Sequence, residues 1–138
     1  MSPDWVQLRK VAAFLRASNI ANGEFTCYDG TTLPLYMQLD TTPSTRYILP
    51  GAFIHFYPQQ AERIRRELKE SNQRFIVTDM KALLAFRETE KADAERPGQP
   101  LAYPPAFPEE LLKTYPFTEP VVFRAGRYYV HRAKGHSP

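Results

Sequence analysis

The feature that most constrains this fold is "RFIVTD", residues 74 to 79. It is a continuous apolar run of the kind found in strands covered on both faces, so the chain must supply layers above and below it. The preceding sequence offers them in alternation. Trp5, Leu8, Val11, Ala12 and Leu15 recur at three- and four-residue steps, the stripe of an amphipathic helix that starts at Ser2-Pro3-Asp4, with the Ser2 hydroxyl as cap, and ends near 19–23. "GEFTCYD" reads as a short strand, and "TTLPLYMQL" as a helix with Thr31 or Thr32 capping and Pro34 in its first turn. A second short strand is expected around Arg46 to Leu49, closed by Pro50-Gly51. A helix from Pro58 to about Ser71 follows, with a stripe of Ala61, Ile64 and Leu68.

Helix, strand, helix, strand, helix, strand is the order of an α/β domain whose parallel strands are joined by right-handed crossovers. After residue 79, a charged and then proline-rich stretch at about 87–108 reads as a surface loop or flap. "PEELLKTY" reads as a short helix, and "EPVVFRAGRYYVHRA" as two alternating strands turning at Ala125-Gly126. The expectation is a single domain over 1–138: a three-layer, Rossmann-like α/β arrangement with a short, mostly parallel sheet flanked by helices and extended by a C-terminal antiparallel hairpin. At 138 residues such a chain buries roughly two thirds of its unfolded surface.

Composition excludes several classes. No run approaches the ~20 apolar residues of a membrane helix, and the opening residues lack a signal peptide's apolar stretch, so this segment reads as soluble. The single cysteine, Cys27, forms no internal disulfide and reads as an inert thiol inside a strand. The net charge of +3 is mild. In "ERIRRELKE", Arg63 with Glu67 and Arg66 with Glu70 stand at helical spacing, a solvated face. From Val121 onward Arg124, Arg127, Arg132 and Lys134 meet no acid, which reads as a plain cationic tail, the alternative being an end that favours an anionic neighbour such as lipid head groups. Nucleic-acid binding ranks last, because these cations sit at one end and no recognition motif accompanies them.

Ligands of parallel sheets gather beyond the carboxyl ends of the strands, where Asp29 and Asp79 fall. Two carboxylates there could hold magnesium or divide acid and base roles. "YDGTT" resembles the haloacid-dehalogenase phosphatases, but their nucleophilic Asp stands two residues earlier, where this chain has Cys27. The structural alternative makes Asp29 the cap of the following helix and Gly30 its turn. Phosphate cradles of the Gly-x-Gly-x-x-Gly or Gly-Lys-Ser/Thr type are missing, as is a Gly-x-Ser-x-Gly elbow. His55, His131 and His136 lack metal-ligand spacing, so no metal or cofactor is expected. In "PSTRY", Arg46 could grip a carboxylate or phosphate with two parallel hydrogen bonds, or tie its loop to Asp40 or Asp29. The ligand-binding candidates are therefore Asp29, Thr31, Arg46 and Asp79. Phe117, Phe123, Tyr128 and Tyr129 suggest a stacking platform, although strand alternation sends half of them to the core.

The succession "VQLRKVAAFLRASN", "GEFTCYDGTTLPLYMQLDTTPSTRY", "FYPQQAERIRRELKESNQRFIVTD" and "YPFTEPVVFRAGRYYVHRA" resembles the soluble C-terminal region of multi-spanning membrane glycosyltransferases, the superfamily of protein O-mannosyltransferases and aminoarabinose transferases. The resemblance implies a non-catalytic accessory domain on the extracytoplasmic, periplasmic side. Its partners would be the membrane-embedded part of the parent protein and a lipid head group or acceptor. The catalytic acid and the contacts to the lipid-linked sugar donor would lie in that membrane part, and the helix at Trp5 would be where the last span hands over. The alternative is a stand-alone small α/β enzyme or binding protein for a phosphorylated or nucleotide ligand at Asp29 and Asp79.

Overall fold

The computed structural model describes residues 2–83 and 108–133. The expected proline-rich loop therefore lies outside the described residues, apart from its last position. The elements are α1 (Trp5–Ala17), β1 (Phe25–Cys27), α2 (Pro34–Gln38), α3 (Pro50–Phe56), α4 (Ala61–Glu70), β2 (Phe75–Asp79), α5 (Pro108–Leu111), β3 (Val121–Ala125) and β4 (Tyr128–Arg132). Single 3-10 turns at Gly30–Thr32 and Pro58–Gln60 lead into α2 and α4.

The four strands form an open mixed sheet in the order β1-β2-β4-β3. β1 and β2 are parallel, with Phe25 beside Phe75 and Cys27 beside Val77. β2 and β4 are antiparallel, as are β3 and β4, so the hairpin does extend the sheet. The mostly parallel sheet expected from the sequence is corrected to one with a single parallel pair. The reason is that "RYIL" forms no strand. Proline on each side, Pro43 and Pro50, withholds an amide. Between them Thr45 Oγ1 accepts from the Tyr47 amide at 3.1 Å, a local bond that competes with a ladder. Pro50 instead opens α3, a helix the sequence reading missed, at the first position where a missing amide costs nothing.

Every residue of β2 is buried, as its continuous apolar run requires. Alternation then sends its side chains to two cores. Phe75 and Val77 join Leu8, Val11, Ala12 and Leu15 of α1, Phe25 and Cys27 of β1, Leu35 of α2 and Val130 of β4. Phe14 stacks on Phe123 at 4.7 Å between centroids and meets Phe75 edge-on, which seats α1 against the hairpin. Ile76 points the other way, to Ile54 of α3, Ile64 and Leu68 of α4, Tyr28 and Tyr115. α1 is capped by Asp4, whose carboxylate accepts from the Gln7 amide, and not by Ser2. Trp5, expected in the buried stripe, is half exposed.

Polar groups between these cores are tied together. Gln73, fully buried, donates to Leu68 O at 2.6 Å, and its carbonyl accepts from Thr26 and from Ser44. Thus Ser44 of "PSTRY" anchors its loop to β1 and to the end of α4. Thr78 bonds His131 at 2.9 Å across β2 and β4. The other ring nitrogen of His131 faces Glu119 O at 3.1 Å, and burial holds this imidazole below its ordinary pKa. His131 is thus a buried packing residue that ties β4 to β2.

Candidate functional site

The parallel pairing of β1 and β2 brings both strands to one edge, and there the sheet presents Asp29 and Asp79. Both are buried, Asp79 completely. Asp29 follows Tyr28, whose amide still bonds Val77 O at 3.0 Å, so the chain leaves the sheet with Asp29 turned toward the end of β2. Its carboxylate makes no bond to its own 3-10 turn. Oδ2 instead accepts from the Asp79 amide at 2.7 Å. The expected helix cap is therefore corrected: Asp29 terminates the neighbouring strand. Gly30 has no positive φ, and a Cβ there would meet open space, so the turn does not depend on glycine.

Asp79 is saturated. Its Oδ1 accepts from the amides of Lys81 and Ala82 at 3.0 and 3.1 Å, capping the helical turn at 80–83. Thr31 donates its hydroxyl to Oδ2. Arg127 lays its guanidinium against both oxygens, Nε lying 2.9 Å from Oδ1 and 3.0 Å from Oδ2, with Nη2 on Oδ2 as well. Burial by itself would raise this carboxyl's pKa, but Arg127 and Thr31 outweigh it and hold Asp79 below the usual range. Asp29 goes the other way. Desolvation raises it, the adjacent Asp79 charge adds to that, and the Asp79 amide and Arg127 only partly oppose them, so its pKa is pushed up to about 7.

Arg127 is the residue that sequence reasoning missed, having counted it among cations that meet no acid. The signal lay in the hairpin. Gly126, at φ 57°, takes the first of two loop positions, where a left-handed residue suits a tight antiparallel turn, and Ala125 pairs with Tyr128 across it. Because Tyr128 stands opposite Asp79 in the β2–β4 register, the residue before it lies over the end of β2. The same arginine donates through Nη1 to Ser2 O at 3.2 Å, and Tyr128 Oη accepts from the Asp4 amide at 2.9 Å. The start of α1 is thereby bound to the site.

Of the four expected site residues, Asp29, Thr31 and Asp79 come together, and Arg46 does not. Arg46 is exposed, bonding Glu67 Oε1 and Tyr47 Oη at 3.0 Å each, and neither Asp40 nor Asp29 receives it. Glu67 also receives Arg63 at 3.7 Å, as the helical spacing suggested. An exposed pair of this kind contributes little. Arg46→Ala is accordingly expected to leave the thermal unfolding midpoint unchanged within error, as differential scanning calorimetry would show. Cys27, fully buried, directs its thiol to Thr32 O at 3.1 Å, and burial pushes its pKa well up, so it carries no thiolate.

Chemically, the arrangement is a joint. Oδ1 of Asp79 accepts from the Lys81 and Ala82 amides and Arg127, and Oδ2 from Thr31 and Arg127, and among the described residues no group of three His, Cys, Asp or Glu side chains could hold a metal. No helix among the described residues is long and apolar enough to cross a membrane. Comparison of the chain with protein-family models, with curated proteins and with solved structures gives no match.

Proposed function

We propose that this chain is a non-catalytic accessory domain of a membrane-bound glycosyltransferase that uses a lipid-linked sugar donor. On this reading it is a three-layer, Rossmann-like module on the extracytoplasmic side, resting on the membrane-embedded part and helping to shape the entry for acceptor or head group. The observation that carries the non-catalytic half is the closure of Asp79 by Arg127, Thr31 and two backbone amides, which commits the carboxylate at the end of β2 to structure. The exposed Trp5 and Val6 at the start of α1, beside the Arg127 joint, support an apolar neighbour at that end. Attachment to such a parent rests on the order and spacing of the sequence segments.

The test is the reading frame around the segment together with a deletion. Membrane spans encoded ahead of Trp5, and glycosyl transfer by the parent that falls when residues 5–133 are removed while the spans still insert, are the expected results. A frame that carries no span, or a parent whose transfer is indifferent to the deletion, contradicts the proposal.

A further inference from the structure

Two buried carboxyls and one committed guanidinium make an uneven charge count. Arg127 is spread over both oxygens of Asp79, and among the described residues no cation lies within ion-pair distance of Asp29. The groups facing Asp29 are the Asp79 carboxylate and amide from β2, Arg127 from the hairpin turn, and Cys27 and Tyr28 from β1. Thr31 and Thr32 beside it, and the Pro50-Gly51 start of α3, bring no ionisable side chain. Asp4 contributes only through Arg127. An ionised Asp29 would therefore sit buried beside a like charge, while a neutral one keeps its acceptor for the Asp79 amide and loses the repulsion.

We infer that Asp29 is a proton-operated latch: with its carboxyl neutral, the joint between the β1 turn, the end of β2 and the β3–β4 hairpin is closed, and ionisation loosens it, freeing the hairpin turn and the start of α1. The step moves one proton between the Asp29 carboxyl and solvent, and no bond other than O–H is made or broken. The latch belongs to this chain's own joint and holds whatever larger protein the domain serves.

The sign follows from linkage. A carboxyl that titrates near 7 when folded and near 4 when released favours the closed form fully below about 4, and that advantage is lost as pH rises through about 7. The experiment is amide hydrogen exchange from pH 5 to 8, corrected for intrinsic rates, at Asp79, at Met80, which bonds Arg127 O at 2.9 Å, and at Asp4. Opening should rise by up to about tenfold per pH unit between 5 and 7 and level off above. His131, whose pKa burial lowers, pulls the opposite way at acid pH, so the reference is Asp29→Asn, which keeps an acceptor and should show no such rise. If that variant does not fold, the carbon-13 carboxyl signal of Asp29 in the unaltered protein decides. Titration near 7 together with the exchange rise supports the latch. Titration in the ordinary carboxylate range, or exchange at the three amides that parallels the Asp29→Asn profile, overturns it.

Discussion

Arg127→Met is expected to lower the unfolding free energy by about 3–5 kcal/mol at neutral pH, the largest loss from any single substitution at the site. Asp79 is fully buried, and without the guanidinium its charge would keep only Thr31 and the Lys81 and Ala82 amides. The cost is the uncompensated charge more than the lost contact, which fixes two further outcomes. Lowering the pH should restore part of the stability of the variant, because protonating Asp79 removes the charge. Adding Asp79→Asn should restore most of it, because the amide carbonyl still accepts from the helical turn at 80–83. Urea unfolding of the two variants at two pH values measures all of this. A double variant no more stable than Arg127→Met would mean that the guanidinium acts through packing on Tyr128, over whose ring it lies at 5.3 Å, and not through charge.

Gly51→Ala is the second substitution with a large expected effect. The first turn of α3 lies on the end of β1, with the Gly51 amide donating to Tyr28 O at 3.0 Å. A Cβ at that position would stand 2.7 Å from Tyr28 Cε1 and 2.8 Å from Tyr28 O. In a looser site the ring would swing aside, but the carbonyl is backbone at the edge of the sheet and Tyr28 is itself buried. The helix must back away, which costs about 1–3 kcal/mol and loosens the packing of Ile54 against Ile76. Calorimetry should show a midpoint lower by several degrees, on the order of 3–8 °C for a domain of this size. An unchanged midpoint would mean that α3 is not seated against β1.

These residues also show which parts of the structure are legible in the sequence. β2 is, because a strand covered on both faces has to be apolar at every position, and the hairpin is, because alternating β-formers flank a glycine turn. The stripes of α1 and α4 place Leu8, Val11, Leu15, Ile64 and Leu68 correctly for the same periodic reason. The segment at 46–49 is not, since β-forming residues report a preference that the Thr45 turn and the two prolines override locally. Direction of pairing is lost with it, because alternating segments imply parallel strands only if each one enters the sheet. The site is half legible. A carboxylate at the end of each parallel strand can be read off, and so can Thr31 beside them. The partner that closes Asp79 is 48 residues further along, and only the β2–β4 register brings it there. Nor does any local pattern say that Asp29 turns away from its own helix to end the neighbouring strand.

The central claim is that the acid-bearing ends of β1 and β2 form a closed structural joint. A magnesium titration followed through the Asp29 and Asp79 amides and the Arg127 Nε–H signal tests it most directly. The account predicts that all three stay in place at every concentration. Saturable shifts at both aspartates, with release of Arg127, would show a cation site there and contradict it.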